Sequence, residues 1–372
     1  MEQFGKRFNM NFFEKVKPLI YKIDPETAHN IVELIFKTAR RCPLFFNPLI
    51  SKNFILDERL RQNIWGLDFK NPVGVAAGFD KNATMIQAWP ALGFGWGEIG
   101  AVTVRPQVGN EKPRSWRWPE FEAIQNAYGF NNDGVDVIKE RLKKIYPFVL
   151  PIGANIGKNK DTPEERAIED YKILVNELKD VVDFFVVNIS SPNTPGLRKL
   201  LNAEFIQNLF SELKKSTNKP ILIKFSPDME DEDIRNLANL SVIYGADGII
   251  VTNTTVNYDL IDTPIKKGGI SGKPLAKRSY EVLRIVASEV FGKVPIVSVG
   301  GIDSAKEAYK RIKAGASLLQ VYSGIIYKGP NLIKDINEGL IKLLEEDGFS
   351  HISEAIGADI PKRLELKDNN AS

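Results

Sequence analysis

Asn188-Ile189-Ser190-Ser191-Pro192-Asn193-Thr194-Pro195-Gly196-Leu197-Arg198 follows directly on the apolar run Phe184-Phe185-Val186-Val187. Such a run, bounded by polar chain, reads as a buried strand. It hands amide and hydroxyl groups to a loop punctuated by Pro and Gly, which is how parallel α/β folds place active-site groups. An isolated Ser/Asn/Pro stretch is usually a plain turn. Two asparagines and two serines within eleven residues of a strand favour a chemical role.

Working outward, apolar runs recur along the chain from about residue 70. Eight strand candidates emerge: Val73–Ala77, Glu98–Val102, Pro151–Asn155, Phe184–Asn188, Ile221–Phe225, Gly248–Thr252, Pro295–Val299 and Leu318–Val321. Helical patterns such as Glu164–Leu178 and Ser279–Val290 lie between most of them. Alternation of this kind over about 280 residues fits a (β/α)8 TIM barrel of the α/β class. A doubly wound sheet is the competing fold, but no G-x-G-x-x-G follows the first strand. The chain divides into N-terminal amphipathic helices over 1–55, a barrel over 56–345 and a tail over 346–372, polar and frayed from about Pro361.

Composition narrows the function. The 372 residues are 43% hydrophobic and 26% charged, with a net charge of +3, as expected of a globular protein. No basic block argues for nucleic acid. The sole cysteine, Cys42, rules out an internal disulfide or a cysteine metal cluster. With only His29 and His351, no metal site is expected and a Ser-His-Asp triad is disfavoured. No run reaches the roughly 18–20 apolar residues of a membrane-spanning helix. Met1 to Met10 lacks a signal-peptide core, so a cytoplasmic location is expected.

Residues 11–50 differ from the rest. Phe12, Phe13, Val16, Leu19 and Ile20 form one apolar stripe. Asp24-Pro25 then starts a second helix, with Asp as N-cap and Pro at the first position. That helix carries Ile31, Val32, Leu34, Ile35 and Phe36, ends on Arg40 and Arg41, and is stopped by Pro43. Amphipathic helices with basic flanks resemble an interfacial membrane anchor. Packing on the barrel as ordinary surface helices is the other reading.

In a barrel the C-terminal ends of the strands share one mouth. Here they offer Gly78 and Lys81, then Asn155, then Asn188, Ser191 and Asn193. Lys224, Thr252-Asn253-Thr254, Gly300-Gly301 and Tyr322-Ser323 follow, and the long connection after the second strand adds Asn126, Gly129 and Phe130. Small residues after strands seven and eight leave backbone N–H groups open, which suits a phosphate, although Gly300-Gly301 alone reads equally well as a simple tight turn. Amide side chains carry both a donor and an acceptor, the complement of a cyclic imide edge. Lys81 and Lys224 are the strand-end cations. With no metal carboxylates and no histidine in the set, a redox cofactor doing the difficult chemistry fits better than hydrolysis.

From about Leu19 to Lys334 the chain resembles the dihydroorotate dehydrogenases, specifically the quinone-dependent, membrane-associated class 2. The resemblance rests on Asp24-Pro25-Glu26-Thr27-Ala28-His29, Lys70-Asn71-Pro72, Gly78-Phe79-Asp80-Lys81 and Tyr128-Gly129-Phe130-Asn131-Asn132. It continues through Asn155-Ile156-Gly157-Lys158-Asn159, the 188–198 segment, Thr252-Asn253-Thr254-Thr255, Gly268-Gly269-Ile270-Ser271-Gly272 and Val299-Gly300-Gly301-Ile302-Asp303.

The resemblance implies oxidation of dihydroorotate to orotate in pyrimidine synthesis, with flavin mononucleotide (FMN) as carrier and a membrane quinone as acceptor. It places FMN at Ala77, Gly78, Ala101, Asn155, Asn188, Lys224, Thr252, Gly272, Gly301, Tyr322 and Ser323. Substrate falls at Lys81, Asn126, Ala127, Tyr128, Gly129, Phe130, Asn188, Asn193, Asn253 and Thr254. Ser191 is the implied base, with Thr194 as its proton relay, and His29 and Arg117 lie on the quinone side. Peripheral attachment to the cytoplasmic face of the cell membrane is implied, or to the inner mitochondrial membrane in a eukaryote. Ala101 departs from the Thr or Ser of many relatives, at a cost of about 0.5–1.5 kcal/mol if one hydrogen bond to the flavin is lost. Val104 likewise replaces a common Pro. Two other functions compete: a soluble class 1 enzyme using fumarate or NAD, and a flavin-binding barrel without turnover. Class 1 enzymes carry Cys at the base position, where this chain has Ser191.

Overall fold

The computed structural model describes residues 13–39, 43–192 and 202–361. Eight parallel strands close into a barrel: β1 Val73–Asp80, β2 Trp96–Val102, β3 Ile152–Ile156, β4 Phe184–Asn188, β5 Ile221–Phe225, β6 Gly248–Val251, β7 Ile296–Val299 and β8 Leu318–Val321. Each strand pairs with its neighbour in sequence, and β8 closes on β1 through Leu319↔Val73 and Val321↔Val75. The eight expected strands are all present, with ends moved by a few residues at most. The doubly wound alternative is excluded by closure.

Helices α3 Val135–Lys143, α4 Ala167–Leu178, α5 Ala203–Lys214, α6 Asp231–Ile243, α7 Ala276–Val290, α8 Ala305–Lys313, α9 Ser323–Lys328 and α10 Leu332–Glu346 surround it. Between β1 and β2 the chain instead makes two short 3-10 turns, Ile86–Ala88 and Pro90–Leu92. The gap is covered from upstream. Phe36 and Ile50 pack on Ala88 and Ala91 of these turns, and Asn53 Nδ2 donates to the Ala91 carbonyl at 2.8 Å.

The barrel interior follows the two-residue strand period. Its lower part is apolar, built from Trp96, Phe184, Val186, Leu222, Ile250 and Leu318. Toward the C-terminal ends the inward positions turn polar: Glu98, Asn155, Asn188, Lys224, Thr252 and Gln320 are all buried. Above them lies an antiparallel sheet of Ser115–Trp118, Ala123–Asn126 and Gly269–Gly272, in stretches that the sequence pattern had as loop.

The N-terminal region holds a helical segment over 13–20, then α1 Pro25–Ala39 and α2 Pro43–Asn53. Pro43 was expected only to stop a helix. It also opens the next one, because proline suits a first helical position. The expected cations Arg40 and Arg41 and the sole thiol, Cys42, lie outside the described residues. Helix α1 has two faces. Glu26, His29, Glu33 and Phe36 turn toward the barrel: Glu26 pairs with Arg114 at 2.7 Å, Thr84 Oγ1 donates to Glu33 at 2.7 Å, and Phe36 joins the core. Ile31, Leu34 and Ile35, spaced i, i+3, i+4, face outward at 44%, 60% and 53% exposure. No helix among the described residues is long and apolar enough to cross a membrane. At the other end, residues 347–361 pack on the barrel. Ile352 and Ala355 are fully buried, and the Gly357 and Asp359 N–H groups donate to the Ile312 and Lys313 carbonyls at 3.0 Å.

Candidate active site

The polar inward layer forms the floor of a cleft enclosing about 1060 Å³, part of it open to solvent. On that floor the amides form a chain. Asn155 Nδ2 donates to Glu98 at 2.9 Å, Asn188 Nδ2 to Asn155 Oδ1 at 3.0 Å, and Asn253 Nδ2 to Asn188 Oδ1 at 3.4 Å. Gln320 Nε2 donates to the other Glu98 oxygen. Lys224 comes up from β5 among them. Burial pushes its ammonium below the ordinary lysine range, and Glu98 opposes that shift. Two buried atoms at this level, Thr252 Oγ1 and Gln320 Oε1, have no hydrogen-bond partner. One can donate and the other can only accept, so a planar ring bearing both C=O and N–H groups would satisfy both.

Gly272, Gly300, Gly301, Ser323 and Gly324 line the end formed by β7 and β8. Ser271 Oγ and Ser323 Oγ lie 2.8 Å apart there. Gly301 has φ +78°, and a Cβ on it would come within 2.5 Å of the Ala276 Cβ, so the turn tolerates only glycine. Backbone N–H groups thereby stay open at the end suited to a phosphate.

At the mouth, Lys81 Nζ sits 4.4 Å from the Tyr128 ring centroid. Burial lowers Lys81 to about 8, against the pull of Glu33, Glu26 and Asp80, so it remains mostly charged at neutral pH. Phe130 lines the same cleft in a left-handed backbone conformation, φ +57°. Asn132 Nδ2 and Gln107 Nε2 hold its carbonyl at 2.8 and 3.2 Å. A side chain kept in so sparsely populated a region is over-determined by its neighbours, as at many functional sites. After β4 the two serines separate. Ser191 lines the cleft. Ser190 is fully buried, and its Oγ accepts from Asn253 Nδ2 at 3.0 Å.

A line of rings leads out of the cleft toward α1. Tyr322 meets Phe79 edge to face at 5.7 Å, and Phe79 meets His29 in the same way at 5.7 Å. Burial, aided by the nearby Lys81 charge, pushes His29 down to about 3, so its imidazole is neutral at physiological pH. Arg117 donates to the Ile20, Tyr21 and Ile23 carbonyls at 3.3–3.5 Å and stacks 4.9 Å from the Tyr21 ring. It ties the turn before α1 to the antiparallel sheet.

The family model for dihydroorotate dehydrogenase matches residues 59–344. A dihydroorotate dehydrogenase (quinone) from Nautilia profundicola is 78% identical over 358 residues, covering 96% of this chain and 100% of the relative. The chain belongs to the dihydroorotate dehydrogenase family, in its quinone-dependent class. A relative of the same name from Sulfurimonas denitrificans is 53% identical over 347 residues, 93% of this chain and 99% of its own. A crystal structure of DHODH from Eimeria tenella in complex with ferulenol superposes with a TM-score of 0.82 at 34% identity, covering 91% of this chain and 96% of that one.

Among the residues that the dihydroorotate dehydrogenase resemblance singled out, Ala77, Gly78, Ala101, Asn188, Lys224, Thr252, Gly272, Gly301, Tyr322 and Ser323 line the cleft. So do Lys81, Asn126, Tyr128, Gly129, Phe130, Ser191, Asn253 and Thr254. Asn155 and Ala127 are not on the lining: Asn155 stands behind Asn188, and Ala127 is buried. His29 and Arg117 lie on the α1 side. Asn193 and Thr194 fall outside the described residues. Glu98, Gln320, Ser271 and Leu275 were missed. A lone Glu in Trp96-Gly97-Glu98-Ile99 and a lone Gln in Leu318-Leu319-Gln320-Val321 were the available signals, since the strand period turns both inward.

Proposed function

We propose that the cleft holds FMN over its amide floor and dihydroorotate at its mouth, and that a quinone collects the electrons on the α1 side. The reaction is the oxidation of dihydroorotate to orotate in pyrimidine biosynthesis. The observation that carries the reading is the convergence of buried Lys224, partnerless Thr252 Oγ1 and Gln320 Oε1, and Ser191 on one cleft. Thr252 and Gln320 would meet the polar edge of the flavin ring, Lys224 would sit by its pyrimidine end, and the Gly272, Gly301 and Ser323 turns would hold the phosphate. When bound, FMN supplies a two-electron acceptor for the hydride of substrate C6 and passes the electrons on to quinone.

The protein's own groups do the rest. Lys81 holds the substrate carboxylate. Asn126, Asn188, Asn253 and Thr254 present amide and hydroxyl groups to the imide edge, and the family resemblance would add Asn193. The backbone at Gly129 and Phe130 closes over the ring and excludes water. Ser191 Oγ takes the C5 proton, and Thr194 would carry it outward. The outward stripe of α1 would rest on the membrane as a peripheral contact at the cytoplasmic face. The neutral His29 and the Phe79 and Tyr322 rings would line the quinone approach.

Purified protein is expected to be yellow, to bleach with dihydroorotate under anaerobic conditions, and to regain colour rapidly with a quinone. Fast recolouring with NAD or fumarate instead would favour the soluble class 1 chemistry, and a colourless protein that takes up no flavin would refute the reading. A pH dependence follows from Lys81. Its lowered pKa means the cation is present below about 8 and lost above it. Because kcat/KM reports the free enzyme, it should fall about tenfold per pH unit above that point, while kcat changes less. Lys81→Met should lower kcat/KM at neutral pH and abolish the alkaline fall. An unchanged fall in that variant would assign the limb to another group.

A further inference from the structure

Glu98 is a fully buried carboxylate on β2 that lies below the cleft lining. Buried carboxylates are costly, and they are retained where something uses the charge. An ionised carboxylate only accepts hydrogen bonds. Both oxygens of Glu98 are met by amide N–H groups, Asn155 Nδ2 at 2.9 Å and Gln320 Nε2.

That condition sets the Asn155 and Gln320 end of the floor. Asn155 has given its NH2 to Glu98, so its Oδ1 faces Asn188, which donates at 3.0 Å. Asn188 in turn offers its Oδ1 to Asn253 Nδ2 at 3.4 Å and to the Ser190 N–H at 3.4 Å. Asn253 Nδ2 also reaches Ser190 Oγ at 3.0 Å, next to Ser191. On the other branch, Gln320 gives its NH2 to Glu98 and is left with a bare Oε1. The two ends of an amide have nearly the same shape, so a chain of neutral amides can run in either direction. Fixed groups at the two ends remove that freedom: the Glu98 carboxylate at one, and at the other the Thr254 N–H, which donates to Asn253 Oδ1 at 2.8 Å. Glu98 also acts electrostatically on Lys224 in the same layer.

We propose that Glu98 is a positioning residue: its carboxylate holds Asn155 and Gln320 as donors, so that the Asn155–Asn188–Asn253 relay runs in one direction from that end, and it balances Lys224 beneath the cofactor. The inference rests on the flavin reading above. It is specific to the charge, so it separates from a packing role.

The test compares Glu98→Gln with the parent holoenzyme. In the variant an NH2 at position 98 opposes the NH2 of Asn155 or Gln320, and one of them must turn over. Orotate affinity, read by titrating the flavin absorbance, should weaken about tenfold or more as imide donors and acceptors mismatch. Loss of the negative charge should also favour the reduced flavin by about tenfold, a rise of roughly 30 mV for a two-electron couple. Glu98→Asp and Glu98→Asn form a second pair, matched in volume and differing in charge. Asp should bind orotate about tenfold more tightly than Asn. Loss of flavin from the Gln and Asn variants with its retention in Asp supports the same conclusion. A Glu98→Gln enzyme with parent affinity and potential overturns it, as do Asp and Asn variants that behave alike. A parent protein without flavin would overturn the cofactor reading, and this inference with it.

Discussion

Ser191→Ala is expected to slow reduction of the flavin by dihydroorotate by about 10²-fold or more, the range for loss of a positioned proton acceptor. Reoxidation of chemically reduced flavin by quinone should be unchanged, because the proposed role of Ser191 lies only in the substrate half of the cycle. A serine hydroxyl is a weak base at neutral pH, so its effectiveness depends on where it sits and on what accepts the proton next. The structure supplies an internal control. Ser190 is adjacent in sequence but fully buried, its Oγ accepting from Asn253, whereas Ser191 opens on the cleft. Ser190→Ala should therefore disturb the amide relay and weaken substrate binding more than it slows the chemical step. Stopped-flow absorbance of each half-reaction distinguishes the two variants. Equal slowing of both halves in Ser191→Ala would mean that the substitution damages the flavin site generally, and the base would have to be sought elsewhere.

The barrel and its mouth were legible in the sequence because both depend on local pattern. Short apolar runs fix the strands, and the polar residues that end them gather near the common rim. Lys81, Lys224, Thr252 and Tyr322 were found in that way, although their runs lie far apart in the chain. Three kinds of information were not local. The first is orientation within a strand. Glu98 and Gln320 interrupt apolar runs and look like defects until the closed barrel shows both pointing into one polar layer. The second is depth: Asn155 ends its strand like the others, yet sits behind Asn188 and not on the cleft. The third is long-range contact. His29 on an amphipathic helix reads as a surface residue, and only the packing of α1 across β1 sets it against Phe79, fifty positions later. The antiparallel sheet over the mouth was missed for a related reason. Its strands are each four residues long, too short to show a period.

The outward face of α1 leads to the second large expected effect. Removing the whole N-terminal region would be a blunt test. It would strip Glu26 from Arg114 and Glu33 from Thr84, both close to Lys81, and so disturb the substrate mouth as well. Four substitutions in the full chain avoid this. Leu19, Ile31, Leu34 and Ile35 are 63%, 44%, 60% and 53% exposed, and changing them to serine leaves the inward contacts of Glu26, His29 and Glu33 intact. A fully buried aliphatic side chain contributes roughly 1.5–3 kcal/mol, so even partial immersion of four should make vesicle binding fall by about 10²-fold. Flotation with anionic and zwitterionic vesicles measures this directly. Anionic vesicles should retain more of the variant, since Lys37 and its basic neighbours remain. Flavin bleaching by dihydroorotate should be near the parent rate. Reoxidation by a long-tailed quinone presented in vesicles should drop with the flotation, while a small soluble acceptor dye should be little affected, because it does not need the membrane to reach the Tyr322–Phe79–His29 line. If the variant floats and turns over long-tailed quinone like the parent, the stripe does not face lipid, and the quinone must enter by a route that bypasses α1.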